Sequence, residues 1–382
     1  MKILVINCGS SSAKYQLFDA KRQKLLARGM VERIGSERAN LRQQNNGGAL
    51  NKNVVCPDHY IAINIIVDAL TDPKYGVIKS KSEIGGIGHR VVHGGEEFKN
   101  STRITPKVIR SIEKYSELAP LHNPPALLGI KACSKILKGI QQVAVFDTSF
   151  HQTMPPEAFL YGLPFKLYKK YGIRRYGFHG TSHRFVAMQT AKALNRPLNS
   201  LKLITCHLGN GCSMAAVKNG KSVDTTMGFT PLEGLLMGTR SGNLDPAVVF
   251  FLMEKEKMSP NRISDILNKE SGLLGVSGVS NDMRDILEAS KGRGLSAKRS
   301  KMALEMFIYR IEKYIGAYMA AMNGLDAVIF TAGIGENNPW LVRRIEKDLK
   351  NVVSKKVKFL VIPTDEELLI ARDAYTIIKR SK

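Results

Sequence analysis

The 382-residue chain has one tryptophan, five cysteines, and only 33 acidic residues against 57 lysines and arginines. Cys8, Cys56, Cys133, Cys206 and Cys212 are odd in number and form no C-x-x-C pair. A disulfide framework and a zinc site are both disfavoured, and a reducing, cytoplasmic compartment fits. No apolar run approaches the roughly 20 residues of a membrane span. The opening "MKILVI" carries a single lysine and breaks at Asn7, which is not the layout of a signal peptide. Three common site signatures are also missing. There is no G-x-x-x-x-G-K-[ST], and no G-x-G-x-x-G between a strand and a helix. The stretch "GSSSA" ends in Ala13, so the chain has no serine-hydrolase nucleophile elbow.

The shortage of acid leaves a formal net charge of +24. The densest basic segments are Lys291 to Lys301 and Ser354 to Lys358. Neither interleaves aromatics or shows a groove-reading motif, so no nucleic-acid partner is expected. A solvated basic face is the first reading, and attraction of small polyanionic substrates the second.

A chain this long predicts about two or three domains. "ILVINCGSSSAKYQLF" (Ile3 to Phe18) reads as strand, polar turn, strand. "LKLITCHLGNGCSMAAVKNGKSVDTT" (Leu201 to Thr226) repeats that order, and its Asn219-Gly220 predicts a further hairpin. "QQVAVFDTSFH" (Gln141 to His151) and "LDAVIFTAGIGENN" (Leu325 to Asn338) are each a buried strand ending in a polar loop. The same succession thus occurs twice, predicting two related α/β halves with a sheet in each and a cleft between them. The boundary falls near Phe150, before paired prolines. Arg184 to Leu194 and Lys301 to Met322 have helical apolar spacing. Glu37 to Asn53 is polar and Gly/Asn-rich, and reads as a surface loop. Thr364 to Arg380 reads as an amphipathic helix with a capping threonine and an acidic first turn.

The polar turns at Asn7 to Ser12 and His207 to Ser213 can present backbone N–H groups to an anion. Arg90 and His93 flank a strand end, and His122 sits in a Pro-rich turn at a helix start. His179 and His183 lie either side of Gly180, Thr181 and Ser182, which read as a helix N-cap and weigh against zinc on one helical face. Arg240 lies in a Gly-rich loop. Two such arginines with a loop histidine suggest charge stabilisation of a transferring phosphoryl group.

Taken in order, "NCGSSSAK", "GHRVVHGGE", "PLHNPP", "FDTSFHQTMPP", "RRYGFHGTSH", "HLGNGCSMAAVKNGKSVDTTMGFTPLEG", "MGTRSG", "SNDMRD" and "TAGIGEN" resemble the acetokinase family, of the acetate and sugar kinase, heat-shock ATPase and actin superfamily. The resemblance runs over nearly the whole chain. It implies two ribonuclease H-like domains with an interdomain active-site cleft: residues 1–150 with 366–382, where the terminal helix returns, and a nucleotide-binding domain over 151–365. It implies reversible phosphoryl transfer from ATP to acetate, giving ADP and acetyl phosphate, with Mg2+ (or Mn2+), in a cytoplasmic homodimer without membrane attachment.

Residue by residue, the resemblance assigns Asn7 and Glu366 to the metal, and Ser10, Ser12 and Lys14 to the phosphate turn. Arg90 would bind the substrate carboxylate or its phosphate. Val92, Leu121, Phe178 and Pro231 would form the acyl pocket. Asp147, His179, Arg240, Arg90 and His122 form the implied catalytic set, with His179 and Arg240 as transition-state stabilisers. Asp147 is read as a positioner of Arg240 or of the substrate. His207, Leu208, Gly209, Asn210 and Gly211 would form the nucleotide phosphate loop. Asp282, Met283 and Arg284, with Gly333, Ile334, Gly335, Glu336 and Asn337, would form the nucleoside segments. The chain departs from the family pattern at Ala13, Ser149, Asn243 and Asp365, the last beside Glu366. A propionate or butyrate kinase, or a non-catalytic nucleotide-binding member, are the alternative readings.

Overall fold

The protein is described from a computed structural model covering residues 1–380. The chain divides into two compact units, one of residues 1–150 with the described residues from Asp365 on, the other of residues 151–364.

The first unit is built on a sheet of eight strands: β1 (Lys2–Gly9), β2 (Ser12–Asp19), β3 (Lys24–Glu32), β4 (Asn40–Asn45), β5 (Gly48–Asn53), β6 (Ile84–Val91), β7 (Thr102–Arg103) and β8 (Gln142–Phe146). Their spatial order is β5-β4-β3-β2-β1-β6-β8-β7. β1 to β5 form an antiparallel meander, while β6 and β8 run parallel to β1. β1 alternates its side chains between two apolar layers. Leu4, Ile6 and Cys8 pack with the helices His59–Thr71 and Asn123–Ile136. Ile3 and Val5 pack with Ile370, Ala371, Ala374 and Ile378 of the terminal helix Glu366–Arg380.

β6 explains how closely that helix approaches. A Cβ on Gly86 would lie 2.3 Å from Ile378 Cδ1, and one on Gly88 would lie 2.6 Å from Ile370 Cγ2. Two glycines on one face of the strand therefore provide a groove for the helix. Its first turn then falls above Arg90, the next residue on that face.

Two expectations are corrected here. Glu37 to Asn53 is not a loop, because it contains β4 and β5, paired in register from Asn40↔Asn53 to Asn45↔Gly48. Leu41 and Gln43 point inward. Gln43 accepts a hydrogen bond from Tyr15 Oη (2.6 Å) and donates to the carbonyls of Ala69 and Tyr75. A buried amide replaces the apolar residue that alternation would otherwise show. The cap of the terminal helix is Asp365 rather than Thr364: Asp365 Oδ1 accepts from Leu368 N at 2.8 Å. Asp365 thereby lies with the first unit.

The second unit carries β9 (Lys202–Leu208), β10 (Cys212–Lys218), β11 (Lys221–Thr225), β12 (Ala327–Thr331) and β13 (Lys358–Val361), in the order β11-β10-β9-β12-β13. β9 to β11 form an antiparallel meander, and β12 and β13 run parallel to β9. Asn219 (φ 56°) and Gly220 (φ 78°) make the tight turn between β10 and β11. The helix Gly294–Met322 buries Phe307, Ile311, Ile315 and Tyr318 on one face. Both sheets thus place an antiparallel meander beside parallel strands, the duplicated ribonuclease H-like plan.

Candidate active site

Ligands of parallel-containing α/β sheets gather at the carboxyl ends of the parallel strands. In the first unit the registers Ile6↔His89 and Val91↔Phe146 bring Asn7, Arg90 and Asp147 to that end together. Asp147, 1% exposed, is gripped by Arg90: Nη2 donates to Oδ2 at 2.6 Å and Nε to both carboxylate oxygens at 3.2 Å. Glu366 Oε2 lies 3.8 Å from Arg90 Nε. Asp147, then burial, then Glu366 decide the Arg90 guanidinium, whose pKa is raised on balance. Burial pushes the Glu366 carboxyl up to about 7, opposed by Arg90 and reinforced by Asp147.

Asn7 and Glu366 supply hard oxygen donors. Among the described residues no three His, Cys, Asp or Glu side chains form a closed metal cage. Such oxygen donors suit a hard divalent cation that keeps several waters and is completed by substrate phosphates. A carboxylate whose charge is costly where it sits also gains from a cation. Ser10 and Ser11 form the exposed two-residue link from β1 to β2, with Ser12 opening β2. Lys14 pairs across from Asn7, and the two line a hollow of about 450 Å3 with Glu367.

Val92 follows β6 and is buried, whereas Leu121 is 71% exposed and His122 is exposed at the start of the helix Asn123–Ile136. Asn123, which the sequence reading passed over, ties these segments together. Its Oδ1 accepts from His93 N (3.0 Å) and its Nδ2 donates to His93 O (2.9 Å). Gly94 N donates to Thr148 Oγ1, and Gly95 N to His93 Nδ1. Burial pushes His93 down to about 4, so it stands as a neutral post.

In the second unit, Gly211 lies at the foot of the site. A Cβ there would sit 3.3 Å from Arg240 Nη1 and 3.7 Å from His179 Nε2, so the two groups converge above backbone. Arg240 is half-buried and donates to Pro231 O at 3.3 Å. It has no ion pair among the described residues, and burial lowers its pKa. A desolvated cation without a counter-ion is suited to an anionic ligand. Within the first unit the Asp147 carboxylate is engaged by Arg90.

His179 precedes the helix Gly180–Ala193 with a left-handed backbone, φ 55°. It is itself the N-cap residue, so Thr181 and Ser182 lie inside the helix and not at its cap. Its ring stacks on that of His207, with centroids 4.2 Å apart. His207 Nδ1 lies 2.8 Å from Ser182 Oγ. Phe178, just before His179, is buried.

A cavity of about 650 Å3 opens in the same unit, lined by Gly209, Asn210, Asp282, Met283, Arg284, Gly333, Ile334 and Asn337 among others. That volume suits a nucleoside-sized ligand. Asn210 wedges beneath Gly238, where a Cβ would lie 2.0 Å from its Oδ1, and its own carbonyl accepts from Gly238 N. Asp282 caps the helix Met283–Ser290 and pairs with Arg284, which lowers its pKa to about 2. Glu336 faces inward. Its Oε1 accepts from Ala332 N (2.7 Å), Thr331 Oγ1 (3.1 Å) and Thr364 N (3.2 Å). It therefore closes the turn at Ala332, whose φ is 64°.

Two departures have local explanations. Ser149 Oγ donates to Phe146 O, completing the turn after β8. Asn243 accepts from Gly234 N and donates to Tyr314 Oη. The sequence reading also missed Arg175 and Tyr161, which both bond Glu233 at 2.5 Å and so fasten the loop leading to Arg240.

Residues 2–372 match the acetokinase family. The chain is 53% identical to the acetate kinases of Halothermothrix orenii, over 99% of this chain and 100% of that one, and of Desulfitobacterium hafniense strain Y51, over 100% of both. Among solved structures it resembles Porphyromonas gingivalis acetate kinase, with TM-score 0.94, 46% identity and 99% of both chains covered. It also resembles a propionate kinase from Francisella tularensis, with TM-score 0.90, 39% identity, and 98% of this chain and 99% of that one covered. The family match over residues 2–372 and these full-length identities place the chain in the acetokinase family.

Proposed function

We propose that the protein transfers the γ-phosphoryl group of ATP reversibly to acetate, giving ADP and acetyl phosphate, by direct in-line attack of the carboxylate. The observation that carries this reading is Arg240: a desolvated guanidinium with no acidic partner among the described residues, converging with His179 above Gly211. A carboxylic acid has a pKa of about 4, so the nucleophile is ionised at neutral pH and needs no general base. The protein must instead align two anions and neutralise their repulsion. Arg90, its Nε and one Nη2 proton spent on Asp147, would offer its remaining N–H groups to the acetate carboxylate or to acetyl phosphate. Asp147 thereby sets the plane of that guanidinium. Arg240 and His179 would bond the equatorial phosphoryl oxygens, with Asn210 and the backbone N–H groups of the Gly209–Gly211 loop on the nucleotide phosphates. Asn7 and Glu366 would hold Mg2+, with Mn2+ as an alternative, and the bound ion supplies charge neutralisation on the phosphate oxygens.

Acetate is favoured over propionate because Val92 is buried and leaves less room than alanine would. The protein is further proposed to act as a homodimer. None of the helix Ala247–Lys255 is buried, and Phe250 and Phe251 are 69% and 59% exposed. Paired phenylalanines on a helix whose first seven residues are all apolar call for a cover, and the second copy is the expected one. Among the described residues no helix is long and apolar enough to cross a membrane.

Hydroxylamine trapping of acyl phosphate, with acetate, propionate and butyrate compared, tests the reaction. The expected result is ATP- and Mg2+-dependent product, fastest with acetate. No product with any acid would overturn the kinase reading, and propionate matching acetate would overturn the preference. Sedimentation should give twice the chain mass of 42.3 kDa; a monomer at micromolar concentration refutes the dimer.

A further inference from the structure

Behind His179 lies a buried chain of polar groups to which the reaction scheme assigns no part. His179 Nδ1 is 2.9 Å from Ser213 Oγ, and His183 Nε2 is 2.7 Å from the same oxygen. On its other side, His183 Nδ1 is 2.8 Å from Thr205 Oγ1. Ser213, His183 and Thr205 are all fully buried. Desolvation, with smaller contributions from His151 and His207, holds His183 well below its ordinary pKa, so its ring is neutral.

A hydroxyl has one proton, so Ser213 can donate to only one of the two imidazoles, and accepting from both would leave its own buried proton without an acceptor. Two orders follow. In the first, Thr205 donates to His183 Nδ1, His183 Nε2–H to Ser213, and Ser213 to His179 Nδ1. Every proton in the chain then meets an acceptor at 2.9 Å or less. In the reverse order, His183 Nδ1–H donates to Thr205, whose own proton is left with Ala215 O at 3.5 Å. That distance is too long for a sound hydrogen bond, and a poorly satisfied buried donor is costly. The first order is favoured.

We infer that Ser213 is a positioning residue: with His183 and Thr205 it fixes the tautomer of His179, keeping Nδ1 as an acceptor and the proton on Nε2. Nε2 is the ring nitrogen on the Gly211 side, where a Cβ would lie 3.7 Å from it and 3.3 Å from Arg240 Nη1. His179 then meets a phosphoryl oxygen as a ready neutral donor and needs no proton from solvent. This rests on the reading above that His179 acts at the phosphoryl group.

The test is nitrogen-15 NMR of the full-length protein labelled at histidine, with the His179 signals assigned from their loss in His179→Gln. The expected resting pattern is an unprotonated Nδ1 and a protonated Nε2. Ser213→Ala should disturb that pattern and lower kcat by about tenfold or more, with the KM for ATP little changed. Ser213→Thr, which keeps the hydroxyl, should restore both. A protonated Nδ1 on His179 in the unmodified protein overturns the inference, and needs no variant to fold. So does Ser213→Ala with an unaltered pattern, or with an altered pattern and full kcat while His179→Gln is inactive. If His179→Gln itself retains full kcat, it is the role of His179 in the reaction that fails, which the spectrum separates from the tautomer assignment.

Discussion

Arg90 and Arg240 are assigned similar electrostatic work, yet their surroundings predict opposite effects on stability. Arg90 neutralises Asp147, which is 1% exposed, and lies 3.8 Å from Glu366. Arg90→Ala leaves a buried carboxylate with three fewer hydrogen bonds from that guanidinium. Breaking a buried pair by removing one partner costs about 3–5 kcal/mol. For a unit of this size, about 2–4 °C per kcal/mol gives a fall in Tm of roughly 6–20 °C. Arg240 neutralises no carboxylate among the described residues, so Arg240→Ala removes a desolvated charge and orphans none. Its Tm should be unchanged or slightly higher, while kcat falls by about 100- to 1,000-fold, as when one transition-state donor is lost. Differential scanning calorimetry without ligands, alongside initial rates at saturating ATP and acetate, reads both effects. Adding Asp147→Asn to Arg90→Ala should recover part of the lost Tm, because the buried negative charge that Arg90 balanced is removed. The reasoning fails if Arg240→Ala melts as low as Arg90→Ala, or if it keeps its turnover.

Gly88→Ala should cost about 1–3 kcal/mol in urea denaturation, because the new methyl meets Ile370 Cγ2 at 2.6 Å; an unchanged midpoint would mean that the terminal helix is not seated in the glycine groove. His89 and His93 are both pushed down to about 4 by burial. The unfolded chain, with imidazoles near 6.5, binds more protons, so their contribution is full above pH 6.5 and is lost as pH falls towards 4. The slope is on the order of 1.4 kcal/mol per pH unit for each group. Denaturation at a series of pH values should show it, and His89→Gln should flatten it; equal slopes in the two proteins would count against the assignment. Val92→Ala should raise kcat/KM for propionate relative to acetate by about 10-fold, within the 1–3 kcal/mol that one methylene commands. A ratio that does not move would remove Val92 from the pocket.

The duplicated plan was legible because both halves repeat one succession of apolar runs and polar turns. The hairpin at Asn40 to Asn53 was not, because Gln43 occupies an inward position and only its bonds to Tyr15, Ala69 and Tyr75 make that acceptable. Its Asn46-Gly47 was a turn signal outweighed by the polarity around it. Asp365 was noted only as a departure, although Asp is as good a helix cap as Thr or better. In the candidate site, the residue types pointed to phosphoryl chemistry, and the resemblance distributed the roles. Which residues hold others in place was hidden. Asn123, Glu233 and Ser213 act through bonds to segments 30 to 72 residues away, and no local pattern marks such pairs. Gly86 and Gly88 were visible as a spacing, but the helix they receive lies at the far end of the chain.

That distance bears on how the protein is made. The apolar face of Ile3, Val5, Val143 and Val145 is complete once residue 150 has been synthesised, but its cover, Ile370 to Ile378, follows the whole second unit. At about 5–20 residues per second, this face stays uncovered for roughly 10–40 s while residues 151–364 emerge. During that interval the nascent chain presents a sheet with half its core open, a surface that chaperones bind and that promotes aggregation. The glycine groove that brings Glu366 to Arg90 therefore also makes the first unit the last to be finished.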